Sequence, residues 1–136
     1  MISPSSPSKR IILCIDDDEA ILRYEKALLE RSGYATITAS SPQQGLNLVR
    51  MCKCDAVLLD YEMPGMNGQE VAIEIKLLRP ELKVILVSGS EVPRPALAWV
   101  DAFVPKLEAS RQLLPMIAEI CSGGYDAKVN QTRPQR

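Results

Sequence analysis

The chain has 136 residues, 46% of them hydrophobic, with 16 basic side chains against 17 acidic ones and a formal charge of -1. That length holds one domain around one core, and the charge balance supplies no basic field for nucleic acid or an anionic membrane surface. The sequence contains no histidine, which excludes Ser-His-Asp and Cys-His nucleophilic pairs and His-ligated zinc.

In chain order, residues 1–8 are rich in Ser and Pro and are expected to be disordered. They lack a secretory leader pattern, and no stretch reaches membrane-spanning length, so a cytoplasmic location is expected. Ile11 to Ile15 is a continuous apolar run, the mark of a strand covered on both faces. Asp17 or Asp18 then caps a helix through about Arg31, with Ile21, Tyr24, Leu28 and Leu29 on its apolar face and Gly33 at its stop. Tyr34 to Ala39 reads as a second strand. Pro42 opens a helix lined by Leu46 and Val49, with Leu48 beside them.

Asp55 to Asp60 is the third strand, followed by loop chemistry from Met63 to Gly68. A helix through about Leu78 turns Val71, Ile75 and Leu78 inward. Lys83 to Val87 is the fourth strand. Pro93 and Pro95 allow helix only after Pro95, so Ala96 to Val100 holds at most a short one. Ala102 to Val104 is the fifth strand. Leu107 to Cys121 is a last helix carrying Leu113, Leu114, Ile117 and Ile120, in which Pro115 is expected to cause a kink or a break. Residues 122–136 read as a polar tail, leaving a body over residues 9–121.

Cys14 and Cys121 read as buried small hydrophobes. Cys52 and Cys54 form a C-x-C pair with nothing nearby to complete a tetrahedral metal site. Four thiols without a framework suit a reducing compartment.

Alternating strands and helices predict a parallel sheet with helices on both faces. Sites in such folds lie beyond the C-terminal strand ends. The first strand ends in Asp16, Asp17 and Asp18, the third in Asp60, the fourth in Ser88, and the fifth is followed by Lys106. Singly, these are a solvated helix cap, a turn residue, a loop hydroxyl and a surface cation. Jointly, they place carboxylates, a hydroxyl and an ammonium at one sheet edge. Two carboxylates about 4 Å apart repel by about 4 kcal/mol at an effective dielectric of about 20, so they share a proton or take up a cation. Oxygen-only ligands suit Mg²⁺, and a cation, an ammonium and an in-line carboxylate form a phosphoryl-binding arrangement.

These segments resemble the receiver domain of bacterial two-component response regulators, the CheY-like family, over nearly all of residues 9–121. The carriers are ILCIDDDEAIL, DAVLLDYEMPGMNGQEV, VILVSGS and DAFVPK. The resemblance implies a doubly wound, flavodoxin-like five-stranded parallel sheet of order 2-1-3-4-5. It implies phosphorylation of Asp60, Mg²⁺ held by Asp16, Asp17, Asp60 and the backbone carbonyl of Glu62, and contacts from Ser88 and Lys106 to the phosphoryl group. Phe103 becomes the aromatic that changes rotamer with activation, and the two packings differ by a few kcal/mol. The implied partners are a sensor histidine kinase or histidine phosphotransfer protein and an output partner that the sequence does not name. Neither direct nucleic-acid nor membrane binding is expected. The implied activity is acceptance and loss of the phosphoryl group, not enzymatic turnover. Lacking histidine, the chain is expected to stand at the aspartate end of a phosphorelay, and its length is expected to hold one receiver with two loose ends and no output domain of its own.

Two departures bear on output. The family's Lys-Pro after the fifth strand is Lys106-Leu107 here. The loop therefore sits differently, or Val104-Pro105 carries the cis bond instead. The segment from Ser88 to Lys106 is shortened, so the fourth helix is expected to be short, displaced or absent. Two further readings stand beside phosphoryl acceptance. One is a receiver-fold interaction module that works without phosphate. The other is an Asp-nucleophile phosphatase, for which position 62 carries Glu where Asp is usual.

Overall fold

A computed structural model describes residues 8–122. The expected disordered segment over residues 1–8 and polar tail over 122–136 lie outside the described residues, apart from Ser8 and Ser122. Five strands form one parallel sheet in the order β2-β1-β3-β4-β5. They are β1 (Ile11–Ile15), β2 (Ala35–Ala39), β3 (Ala56–Asp60), β4 (Lys83–Ser88) and β5 (Ala102–Pro105). Five helices connect and cover them: α1 (Glu19–Arg31), α2 (Pro42–Met51), α3 (Gly68–Leu78), α4 (Arg94–Leu97) and α5 (Ala109–Ser122). This is the expected doubly wound, CheY-like arrangement. Among the described residues no helix is long and apolar enough to cross a membrane.

The sheet separates two cores because alternate strand residues point to opposite faces. Leu13, Ile15, Val57, Leu59, Val84 and Leu86 pack under α2 and α3 with Leu46, Val49, Val71 and Ile75. Ile12, Cys14, Leu58, Ile85, Val87 and Val104 pack under α1 and α5 with Leu22, Leu29, Leu113 and Ile117. β3, sandwiched on both faces and both edges, is buried at every position, which is why its sequence reads as an unbroken apolar run.

Local chemistry sets the helix ends. The Asp18 side chain accepts from the backbone N–H groups of Ala20 and Ile21 at the start of α1. The helix stops with Gly33 at φ +96°. There Gly33 N–H donates to the Glu30 carbonyl and Tyr34 N–H to the Leu29 carbonyl, paired bonds that need a left-handed residue. Ser41 caps α2 just before Pro42. Asn67 and Glu70 satisfy each other's backbone N–H groups at the start of α3, a reciprocal cap.

Several expectations are corrected. On α1 the buried positions are Leu22, Glu25 and Leu29, while Tyr24 is exposed. The helix is rotated so that Leu22, rather than Tyr24, meets the core below β1. Leu78 is exposed at the end of α3, whose inward side chains are Val71, Ala72 and Ile75. Cys121 is only half-buried. Pro115 does not break α5, which runs unbroken through it. Pro115 is exposed, so the Arg111 carbonyl that lacks its usual N–H partner lies on the side open to water. No described peptide bond is cis, so neither Lys106-Leu107 nor Val104-Pro105 adopts that form. The last helix begins as a 3-10 turn over Lys106–Glu108 and becomes α-helical at Ala109.

The fourth helix is short, as expected, but it does not wait until after Pro95: it spans Arg94–Leu97, with Pro95 in its first turn, where the missing N–H costs no helical hydrogen bond. It is four residues with no side-chain cap. All four cysteines are free thiols.

One buried ion pair was not legible in the sequence. Lys76 of α3 donates to Asp101 Oδ2 at 2.7 Å and to the Leu82 carbonyl at 2.7 Å. The same Asp101 oxygen accepts from Val84 N–H at 2.8 Å. This tie fastens the end of α3 to the N-terminal ends of β4 and β5, the pole away from Asp60.

Candidate functional site

β1 and β3 are neighbours, and their pairing runs through Ile15 opposite Leu59. One step further, Asp16 comes abreast of Asp60. On the other edge of β1, Asp16 N–H donates to the Ala39 carbonyl of β2 at 3.1 Å. Both carboxylates are buried, at 2% and 4% exposure. Asp17, exposed, completes the group: one carboxylate oxygen from each of Asp16, Asp17 and Asp60 lies within 4.8 Å of the others.

Lys106 reaches across from the end of β5. Its Nζ is 3.1 Å from Asp60 Oδ1 and 3.7 Å from Asp16 Oδ2. The contact to Asp60 is an ion pair outside hydrogen-bond geometry, and Oδ1 is a buried oxygen with no hydrogen-bond donor. Asp16 Oδ1 is better served, accepting from Asp18 N–H at 2.9 Å. This backbone bond explains why three consecutive acids divide their work: Asp18 caps α1, Asp16 is folded inward and Asp17 faces solvent.

The electrostatics follow from crowding. Burial raises the Asp60 carboxyl to about 6, with the Asp16 charge adding and Lys106 opposing. Burial also raises Asp16, against the Asp18 N–H bond and the Lys106 charge. For Lys106, burial works to lower it, but Asp60 and then Asp16 outweigh that and leave it raised. One ammonium therefore serves two inward carboxylates, with a third at the rim. An orphaned buried oxygen among three carboxylates fits a hard divalent cation, which is bound through oxygen.

Ser88 lies at the end of β4, buried. Its hydroxyl donates to the Ser90 carbonyl at 3.0 Å and accepts from Ser90 N–H at 3.1 Å, so it is engaged in its own loop. Phe103 is half-buried. Ser88, Phe103 and Lys106 line one groove of about 380 Å³ together with Val92, Leu97 and Leu107. The one-turn α4 leaves that groove open. The Glu62 side chain is exposed and stays out of the carboxylate group; it lines a separate hollow with Tyr61, Met63, Pro64 and Asn67.

Gly68 explains the small residue that starts α3. A Cβ there would lie 2.7 Å from Tyr61 Cα and 3.0 Å from the Asp60 carbonyl oxygen. Its N–H donates to the Tyr61 carbonyl at 2.6 Å. The backbone after Asp60 is thus pressed against the start of α3, which holds the strand end in place.

Sequence reasoning missed Glu25. It is 5% exposed on α1 and lies within the electrostatic reach of Asp16, Asp60 and Lys106. A glutamate flanked by Tyr24 and Lys26 reads as surface in a sequence, and only its place one turn from Leu22 and Leu29 hints otherwise.

The profile of the response regulator receiver domain matches residues 12–117. The response regulator MprA of Mycolicibacterium vanbaalenii is 29% identical over 107 residues, covering 76% of this chain and 46% of MprA. The chain thus spans less than half the length of that curated relative. A CheY-like receiver domain protein from Methanospirillum hungatei superposes with a TM-score of 0.81 at 32% identity, covering 86% of this chain and 97% of that one. The response regulator TrrA of Thermotoga maritima, solved in complex with Mg²⁺ and BeF, gives a TM-score of 0.77 at 30% identity, covering 82% of this chain and 98% of that one.

Proposed function

The chain belongs to the response regulator receiver domain family of two-component systems, and on that premise we propose that it accepts a phosphoryl group on Asp60 from a partner phosphohistidine. The observation that carries this is the buried Asp60 Oδ1, which has no hydrogen-bond donor and lies 3.1 Å from Lys106 Nζ beside two further carboxylates.

Asp60 is the nucleophile. A carboxylate oxygen forms the new P–O bond while the donor's P–N bond breaks, and the imidazole leaves with the electron pair and takes a proton. Asp16 and Asp17, with Asp60 and the Glu62 carbonyl, would hold Mg²⁺, which supplies charge neutralisation for the transferring oxygens. Lys106 adds a second positive charge and pairs with a phosphoryl oxygen once transfer is complete. The product carries added negative charge and strong acceptors. Ser88 answers it by giving up Ser90 and turning its hydroxyl toward the phosphoryl group. The space it leaves adjoins the groove that Phe103 lines, and rotation of Phe103 into it alters the surface offered to an output partner. The chain is then a phosphoprotein switch rather than a turnover enzyme, with a receiver body over residues 9–121 and a cytoplasmic place beside its donor.

The test is intact mass after incubation with Mg²⁺ and acetyl phosphate. A single phosphoryl adduct that is lost in Asp60→Ala is expected. An unmodified mass, or an adduct that survives Asp60→Ala, overturns the reading.

The one-turn α4 and the fully exposed Leu107 beside it, at 91%, favour a second reading in which this face binds its partner without phosphate. Equal partner binding by wild type and Asp60→Asn supports that reading, and strong loss in Asp60→Asn removes it.

A further inference from the structure

Among the buried acids, Glu25 is unlike the rest. Asp101 is paired with Lys76, and Asp16 and Asp60 with Lys106. No described basic side chain lies within ion-pair distance of Glu25, which is 5% exposed. Its placement follows from strand alternation. Cys14 and Leu58 are register partners on the α1 face of the sheet. The next residues on that face, one step nearer the strand ends, are Asp16 and Asp60. Glu25 is buried on α1 between Leu22 and Leu29, the side chains that cover this same face of the sheet over Cys14 and Leu58. The ionisable groups within its electrostatic reach are Cys14 of β1, Asp16 just beyond it, Asp60 of β3 and Lys106 beyond β5. β2 carries no ionisable side chain, and Arg111 and Glu119 of α5 are exposed.

Resting on the reading of the acidic pocket as a divalent-cation site, we propose that Glu25 is a second carboxyl layer of that site, protonated while the pocket holds no cation and releasing its proton to solvent when Mg²⁺ binds. A buried acid with no cation of its own keeps its proton because the charged form is desolvated. Burial raises Glu25 to about 8, Asp16 and Asp60 adding to it and the Cys14 thiol and Lys106 opposing. A divalent charge above it reverses the sign of the field from the pocket. By linkage, what lowers the proton affinity of Glu25 on cation binding raises the cation affinity as Glu25 ionises.

The experiment is calorimetric titration of Mg²⁺ into the full chain at about pH 7.5 in two buffers of different ionisation enthalpy, which counts protons released per ion bound. Wild type is expected to release a substantial fraction of a proton, and Glu25→Gln to lose most of that release while still binding Mg²⁺. Equal release by both overturns the proposal and leaves the cation site standing. No Mg²⁺ binding by wild type overturns the cation-site reading and this proposal with it. A wild-type series needs no variant: Mg²⁺ affinity is expected to rise several-fold between about pH 7 and about pH 9, and a flat profile overturns the proposal.

Discussion

Lys106 Nζ stands 3.1 Å from Asp60 Oδ1 in an ion pair, and among the described residues no well-aligned donor reaches that buried oxygen. This one contact offsets the repulsion between Asp60 and Asp16, and it leaves the Asp60 oxygen open to a better partner. Lys106→Ala should raise the Asp60 carboxyl above its present value of about 6, since the opposing charge is gone while burial and Asp16 remain. Carboxyl carbon NMR titration reads this directly. The Lys106 side chain is 30% exposed, so the stability loss should be small, about 1 kcal/mol or less. Phosphoryl uptake from acetyl phosphate should fall by about tenfold or more.

Glu25 makes the fold sensitive to alkali. Its folded-state value of about 8 lies above its ordinary 4.5, so between those limits the folded state holds a proton that the unfolded state has lost. Stability is therefore greatest below about pH 4.5 as far as this group is concerned and declines as pH rises toward about 8, by a few kcal/mol in all. Glu25→Gln should remove that slope. Urea unfolding should show the variant near wild type at about pH 5 and clearly more stable at about pH 8.

Gly68→Ala should damage both fold and site. The new methyl meets Tyr61 Cα at 2.7 Å and the Asp60 carbonyl at 3.0 Å, and backbone atoms do not step aside as a flexible side chain does. A loss of about 2 kcal/mol is expected from denaturant unfolding. Because the displaced backbone carries Asp60, phosphoryl uptake should fall even under conditions where the variant is folded.

Asp101→Ala separates stability from chemistry. It leaves the Val84 N–H without its acceptor and the Lys76 ammonium without its anionic partner, with only the Leu82 carbonyl remaining to it. The expected cost is about 3 kcal/mol, seen as a lowered Tm. The tie lies at the opposite end of the sheet from Asp60, so phosphoryl uptake by the folded fraction should match wild type.

The sequence by itself determined the strands, the parallel character of their sheet and the polar residues at their ends, while the strand order came from the resemblance to a known family. Apolar runs such as Ile11–Ile15 and Ala56–Asp60 are buried on both faces, and no other arrangement of a short soluble strand needs such a run. Strand ends are also where sequence position maps directly onto space, so Asp16, Asp60, Ser88 and Lys106 could be grouped before their distances were known. Pro93 and Pro95 likewise announced the one-turn α4, because proline acts through the local backbone.

The tertiary structure alone decided which polar residues went inside. Glu25 and Asp101 are ordinary surface letters in a sequence. Glu25 is buried because α1 rotates to set Leu22 and Leu29 on the sheet, and the residue between them goes in with them. Asp101 is buried because Lys76, far along the chain, and Val84 N–H converge on it. Tyr24 and Leu78 went the other way, outward, for the same reason. A helix's own periodicity defines a stripe, but the curvature and neighbours of the sheet select its centre. The proton proposed for Glu25 depends on that second class of information, since it rests on burial and on charges brought together from separate parts of the chain.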